Sequence, residues 1–283
     1  MNIVFFGSSP YVLPILEVLK SDFGVSLVVT TASDAATAEK NLTDPVIAYA
    51  ISQRIPHFSI KNFSSPDTIN NILNTKSQVG VLAFFGLLIP PALLNGFSKG
   101  IVNIHPSLLP RLRGSTPVQT AVLNGEIITG VSLIRLDESL DHGPLIAQKE
   151  EAIEPSDTTH TLHKRLFKAG AELLKERLLA YLAGSLTLTP QDETRATYTK
   201  PLSRDDGYID MSYIPPKEVL DRMIRAYFPW PSVWTTIKLN KKQVRIKLLP
   251  EQKIQVEGGI PMSQKDFLNG YPEAETLIQK LNN

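Results

Sequence analysis

Cysteine is absent from the sequence of 283 residues. Its absence excludes disulfides, zinc–thiolate sites, iron–sulfur clusters and a cysteine nucleophile, and it fits a reducing compartment. An excess of charge is also lacking, because Lys and Arg number 29 against 28 for Asp and Glu. The net charge of +1 therefore indicates neither a nucleic acid nor an anionic membrane as a partner of the whole chain.

Long apolar runs are lacking as well, although hydrophobic residues make up 42% of the sequence. The most apolar window, residues 79–94, is shorter than a bilayer requires, and Pro90 and Pro91 interrupt it. The first residues show no basic segment ahead of their apolar stretch, unlike a secretory signal. We therefore expect a cytoplasmic protein that does not associate with membranes.

Short apolar runs alternate with helical patterns over the first 180 residues or so. Residues 1–6 and 25–31 are predicted strands, and the segment between them has apolar residues at helical spacing. The order strand, turn, helix, strand is typical of an α/β fold with a parallel sheet. The same pattern predicts further strands at 79–85, 100–104 and 130–136, and helices at 45–53 and 66–74.

The second part of the chain has a different pattern. A long amphipathic helix is predicted from Ser156 to about Leu182, and glycine and serine end it. We predict a catalytic domain over 1–184, a Thr-rich linker over 185–200 and a smaller domain over 201–283. In the smaller domain we expect a helix at 217–227 and a hairpin with strands at 234–238 and 243–248.

Basic residues crowd this hairpin, which we call the basic hairpin: Lys238, Lys241, Lys242, Arg245 and Lys247. A solvated turn would show the same composition. The functional alternative is a strip that contacts phosphates.

Asn103 and His105 lie two residues apart at the end of a predicted buried strand. Since alternate side chains of a strand point to the same face, the amide and the imidazole should converge. Such a pair can donate to an oxyanion at the edge where α/β sheets place their ligands. A capping asparagine and a buried structural histidine remain the alternative.

Asp141 follows the predicted strand at 130–136 and is the candidate partner of His105. A carboxylate beside the ring would orient it and favour its charged form. Alternatively, Asp141 is a loop acid like its neighbours Asp137 and Glu138. Gly7, at the first strand-to-helix turn, lacks the other glycines of a dinucleotide fingerprint, and it indicates either an anion site or a tight turn.

The run from Asn103 to Pro110, with Arg113-Gly114 and the later Leu140-Asp141-x-Gly143, resembles the 10-formyltetrahydrofolate-dependent formyltransferases. The resemblance implies a Rossmann-like domain followed by a C-terminal β-barrel of the OB type, with 10-formyltetrahydrofolate as co-substrate and no metal. It implies that Asn103, His105 and Asp141 are catalytic. It places the folate site at Phe85, Gly86, Ile89, Ser107, Leu108, Leu109 and Pro110. We expect substrate contacts at Gly7, Pro10, Arg111, Arg113, Gly114, Lys238, Lys241, Lys242 and Arg245.

The second domain is similar to that of the family members that formylate methionyl initiator tRNA, notably at 224–231 and 261–270. The resemblance implies methionyl initiator tRNA as the partner, with direct attack of its amine on the formyl carbon. We expect the protein to be a monomer. The loop at 32–45 is short, and Lys40 is its only basic residue, whereas the tRNA enzymes usually carry a long basic insertion there. N-formylation of a nucleotide-linked amino sugar is therefore the main alternative. A glycinamide ribonucleotide enzyme, or a non-catalytic RNA- or folate-binding protein, fits less well.

Overall fold

The computed structural model describes residues 2–32 and 44–282. The chain forms two compact units. The first comprises residues 1–115, 129–152 and 163–198, and the second comprises 116–128, 153–162 and 199–283. Residues 33–43, which make up most of the short loop noted above, lie outside the described residues.

The first unit is built around a seven-stranded sheet of order β3-β2-β1-β4-β5-β6-β7. The strands β1 to β5 are parallel to one another, whereas β6 runs antiparallel to β5. The strands are β1 Ile3–Gly7, β2 Val25–Thr31, β3 His57–Ile60, β4 Val79–Ala83, β5 Ile101–His105, β6 Ile128–Arg135 and β7 Leu145–Ala152. The predicted α/β sheet is thus confirmed, with a mixed edge, and β3 and β7 were not predicted.

Helices connect the strands. A 3₁₀ turn Pro10–Val12 leads into α1 and a π turn Leu19–Phe23. The α-helices are α1 Leu13–Val18, α2 Pro45–Ser52, α3 Pro66–Leu73, α4 Pro91–Leu94, α5 Pro117–Asn124 and α6 Thr159–Leu182. Several begin with proline at the first helical position, where its missing N–H costs nothing. Before α2, the Asp44 carboxylate also accepts the N–H of Val46 at 2.8 Å.

Both faces of the first sheet are buried, as β1 shows most directly. Ile3 and Phe5 belong to one hydrophobic cluster and Val4 and Phe6 to another, because successive side chains of a strand point to opposite faces. Each of these side chains is fully buried, which stabilises the fold by roughly 1.5–3 kcal/mol per side chain. β5, the strand that carries the candidate site, is held in place because both faces of this sheet are packed.

The second unit contains an antiparallel four-stranded sheet of order β11-β10-β9-β8. Besides α5, it contains α7 Lys217–Tyr227, β8 Val233–Leu239, β9 Lys242–Leu249, β10 Lys253–Val256, β11 Met262–Ser263, α8 Gln264–Gly270 and α9 Glu275–Asn282. The predicted helix and hairpin are confirmed, with Asn240 and Lys241 at the turn in left-handed conformations. The smaller β domain is therefore present as expected. Within the two described segments, no helix has the length and apolar character to cross a membrane.

Candidate active site

Asn103 and His105 point from the same face of β5, as the two-residue spacing predicts, and Asp141 meets them there. The Asn103 Nδ2 donates to Asp141 Oδ1 at 3.2 Å. The His105 Nδ1 lies 3.6 Å from Asp141 Oδ2. All three residues are buried, with exposures of 6%, 4% and 9%. The structure therefore brings together an amide, an imidazole and a carboxylate from two separate segments.

Asp141 reaches this face from the turn that follows β6. Its backbone adopts a φ of 48°, in the left-handed region that few non-glycine residues occupy. The backbone N–H of Gly114 donates to Asp141 Oδ2 at 2.8 Å. Two residues later only glycine fits, because a Cβ on Gly143 would lie 1.8 Å from the carbonyl oxygen of Arg135. The turn is therefore a constrained structure that aims one carboxylate.

The ring of His105 faces an acceptor on each side. Its Nε2 lies 3.0 Å from the carbonyl oxygen of Leu112, which can only accept, so Nε2 carries a hydrogen. Its Nδ1 faces the carboxylate of Asp141 at a distance longer than a hydrogen bond. When Nδ1 is protonated, both nitrogens carry a hydrogen and the ring has a positive charge beside that carboxylate.

The loop at 107–110, which the sequence assigns to the folate site, is held by its own hydrogen bonds. The Ser107 Oγ donates to the carbonyl of Arg111 at 2.7 Å. The Ser132 Oγ donates to the Ser107 carbonyl at 2.6 Å and accepts from the Leu109 N–H at 3.0 Å. Gln148 Nε2 donates to the Leu109 carbonyl at 2.9 Å. Leu108 and Pro110 are half-buried, so they are the members of this loop with surface left for a ligand.

The other residues expected at the folate site follow β4. Phe85 packs edge-on against Phe6, with ring centroids 5.6 Å apart, and Ile89 packs on the same hydrophobic cluster. Gly86 is exposed, and a Cβ there would meet nothing within 4 Å. This stretch therefore presents an apolar wall beside open space.

The residues of the first unit that are expected to contact the substrate lie in different environments. Gly7 is buried against the Phe5 ring, where a Cβ would approach to 2.7 Å, which favours the tight-turn interpretation. Pro10 and Arg111 are exposed, and Gly114 is half-buried beside Asp141.

Arg113 differs from its neighbour Arg111 because its side chain is enclosed, with an exposure of only 1%. Its guanidinium pairs with the Glu193 carboxylate through two nitrogens, at 2.9 and 2.6 Å. This hydrogen bonding lowers the pKa of Glu193 and raises the pKa of Arg113 from their ordinary values. A substrate contact by Arg113 stays a prediction, and the geometry favours a supporting role in the first unit.

In the second unit, Lys238, Lys241 and Lys242 are exposed on the basic hairpin. Arg245 is half-buried, with its guanidinium 4.8 Å from the centre of the Trp234 ring and 3.2 Å from Glu257. A cleft of about 230 Å³ lies beside it, lined by Arg204, Arg245, Lys247, Gln255, Val256, Glu257 and Gly258. Arg204, which lines this cleft, lies far along the chain from the hairpin, so the sequence pattern does not single it out.

Comparison with known proteins identifies the family. Residues 1–178 match the family described as formyl transferase. The chain belongs to the formyl transferase family. Among similar proteins, the methionyl-tRNA formyltransferase of Chloroflexus aggregans is 39% identical over 237 residues, covering 83% of this chain and 76% of that protein. The methionyl-tRNA formyltransferase of Geobacillus thermodenitrificans is 37% identical over 281 residues, covering 98% and 88%.

A solved structure shows the same fold at lower identity. The N-formyltransferase of Helicobacter canadensis, in complex with folinic acid and dTDP-3-aminofucose, has a TM-score of 0.63 and 19% identity. The match covers 90% of this formyl transferase and 94% of that chain. In the residues that the structure describes, no group of three or more His, Asp and Glu side chains is arranged to hold a metal ion.

Proposed function

We propose that this formyl transferase moves the formyl group of 10-formyltetrahydrofolate to the α-amine of methionyl initiator tRNA. The convergence of Asn103, His105 and Asp141 on one face of β5 carries the proposal. The names of relatives at 37% and 39% identity support this choice of acceptor. Formylation of an initiator tRNA would place the enzyme in the cytoplasm, where it would act as a monomer.

The reaction begins with attack of the neutral amine on the formyl carbon. The new N–C bond pushes the carbonyl electrons onto oxygen, and a tetrahedral intermediate with an oxyanion forms. Asn103 has a second amide hydrogen besides the one that Asp141 accepts, and His105, when protonated, adds an N–H and a positive charge on the same face of β5. Donors placed in this way stabilise the oxyanion, and loss of one typically costs roughly 10²–10³ in rate.

Asp141 then takes part in moving the proton. The attacking amine becomes cationic and must lose a proton before the intermediate collapses. We assign this transfer to the Asp141 carboxylate, directly or through one water, with the proton passing on to N10 of the folate. The electrons on the oxyanion then re-form the C=O bond as the C–N10 bond breaks, and tetrahydrofolate leaves with the proton on N10 while the acceptor amine keeps the formyl group.

The binding sites follow from the placement of the remaining residues. We assign the folate to the apolar wall at Phe85, Gly86 and Ile89 and to the loop at 107–110. Exposed Pro10 and Arg111 are proposed contacts to the acceptor end. The basic hairpin, together with Arg204, is proposed to contact tRNA phosphates from the domain at 201–283.

Formylation of a nucleotide-linked amino sugar is the second candidate. The Helicobacter canadensis enzyme, which was solved with dTDP-3-aminofucose, shares the fold over 90% of this chain. Both candidates use the same three catalytic residues, so the acceptor is the question that an experiment must answer.

The deciding experiment is a formyl-transfer assay with 10-formyltetrahydrofolate and two acceptors in parallel, methionyl initiator tRNA and dTDP-linked amino sugars. We expect formylated methionyl-tRNA, and we expect Asn103→Ala to abolish it while the variant stays folded by circular dichroism. A formylated sugar with no tRNA product would replace the first candidate with the second. No transfer to either acceptor would refute both.

A further inference from the structure

The segment that follows α6, predicted from sequence as a linker, is fixed to the first unit at both ends. Leu145 and Thr189 exchange two backbone hydrogen bonds, at 2.8 and 3.0 Å. Farther along, the Arg113 N–H donates to the carbonyl of Thr197 at 2.8 Å. Gln191 lies between these two anchors, so its position is determined by the backbone on either side.

The carboxamide of Gln191 lies directly behind the turn that carries Asp141. Its Nε2 donates to the carbonyl oxygen of Asp141 at 2.8 Å and to that of Gly143 at 2.8 Å. Its Oε1 accepts from Nη2 and Nε of Arg113 at 2.8 and 3.2 Å. One planar group thus donates twice and accepts twice, which is its full hydrogen-bonding capacity.

The charge on Arg113 strengthens this arrangement. Hydrogen bonds from a guanidinium to an oxygen are stronger than neutral ones, and they polarise the amide that receives them. Arg113 is itself held by Glu193 and by the Tyr198 hydroxyl, which accepts from Nη1 at 3.1 Å. The enclosed guanidinium therefore acts on Gln191 from a fixed position.

We propose that Gln191 is a positioning residue for catalysis. It holds the two carbonyls that flank the turn, and so keeps Asp141 in its left-handed conformation with the carboxylate facing Asn103 and His105. The proposal rests on the role given to Asp141 in the proposed function. Asp141 makes the contact with the reacting groups, and Gln191 acts through it.

Gln191→Glu tests this role because it removes the N–H donors of the side chain and keeps the oxygen that accepts from Arg113. The carboxylate still accepts from Arg113, so the anchoring of the segment is retained. The two N–H donors are lost, and a carboxylate oxygen then faces two carbonyl oxygens. We expect kcat to fall by about 10- to 100-fold, the scale set by small misplacements of a reacting group. KM for both substrates should stay within about twofold, because no binding group has changed.

A double variant distinguishes positioning from general damage. If Gln191 acts through Asp141, adding Gln191→Glu to Asp141→Asn should lower kcat by less than about twofold further. A structural defect would instead multiply the two losses. Gln191→Ala is measured alongside, because it removes the carboxamide without adding charge, and the same pattern is expected. Thr187→Ala, at an exposed position of the same segment, is the matched control.

The outcomes separate this inference from the function on which it rests. An active wild type whose kcat is unchanged in both Gln191 variants would overturn the positioning role and leave the proposed function in place. A raised KM with normal kcat, or multiplied losses in the double variant, would also overturn it. A wild type that transfers no formyl group to either acceptor would overturn the proposed function and the positioning role with it.

Discussion

Replacing Asp141 with asparagine tests the candidate site with little disturbance of the backbone. At a φ of 48° most side chains are strained, but asparagine adopts the left-handed region more readily than other residues that have a Cβ. The substitution keeps the size of the side chain and removes its charge. A loss of activity can therefore be assigned to the carboxylate.

The expected magnitudes come from the two hydrogen bonds of this carboxylate. Oδ1 accepts from Asn103 at 3.2 Å and Oδ2 accepts from Gly114 at 2.8 Å. The asparagine amide has a single oxygen, so its NH₂ group must face one of these donors. One hydrogen bond is lost and a buried donor is left unmatched, which costs about 1–3 kcal/mol of stability. At roughly 2–4 °C per kcal/mol, Tm should fall by several degrees.

The effect on catalysis should be larger than the effect on stability. Loss of a positioned proton-transfer group lowers kcat by about 10²–10⁴-fold, or about 3–5 kcal/mol in activation free energy. The assay is steady-state formyl transfer to methionyl initiator tRNA, with thermal unfolding measured on the same preparations. Glu138→Gln, an exposed acid in the same turn, should behave as wild type. A folded Asp141→Asn variant with kcat within about threefold of wild type would refute the reasoning.

The remaining predictions concern the support of the site and the second unit. Gly143→Ala should strongly destabilise the first unit, because its Cβ would lie 1.8 Å from a backbone oxygen, whereas Gly270→Ala meets nothing within 4 Å and should leave Tm unchanged. Glu193 has a lowered pKa from its hydrogen bonds with Arg113, so its stabilising contribution is present above its ordinary pKa and lost as pH falls through the lowered one. The Tm difference between wild type and Glu193→Gln should therefore stay constant from about pH 7 to about pH 5 and shrink as the pH falls below that. Charge reversal of the exposed lysines of the basic hairpin should raise KM for the tRNA and weaken its salt dependence by about one unit of slope per lost phosphate contact, with KM for the folate unchanged.

Sequence reasoning predicted the part of the site that depends on local geometry. Asn103 and His105 share a face because successive side chains of a strand point to opposite faces. The end of β5 could be predicted because its apolar run is recognisable from the sequence of that strand alone. Asp141 could be chosen over the neighbouring acids only through the resemblance to a family. Its left-handed turn depends on contacts from residues far away in the sequence.

The supports of the site could not be predicted in this way. Arg113, which belongs to the motif that resembles the family, is expected from the sequence to contact the substrate. Its burial depends on Glu193, which lies 80 residues later in the sequence. Gln191 carried no signal, since a single polar residue in a Thr-rich stretch is typical of a linker. β7 was missed because its outer half, with Lys149 to Glu151, has too few apolar residues for a strand pattern.

The anchored segment at 189–198 has a consequence for dividing this enzyme into fragments. The proposed catalytic residues end at Asp141, and the family match ends at residue 178. The Thr197 hydroxyl nevertheless accepts the N–H of Leu112, the residue whose carbonyl holds the His105 ring. A fragment that ends at residue 178 would keep the proposed catalytic residues Asn103, His105 and Asp141. It would lose Gln191 and Thr197, which hold the segments that position Asp141 and His105. The shortest fragment worth expressing as a catalyst therefore ends after Tyr198.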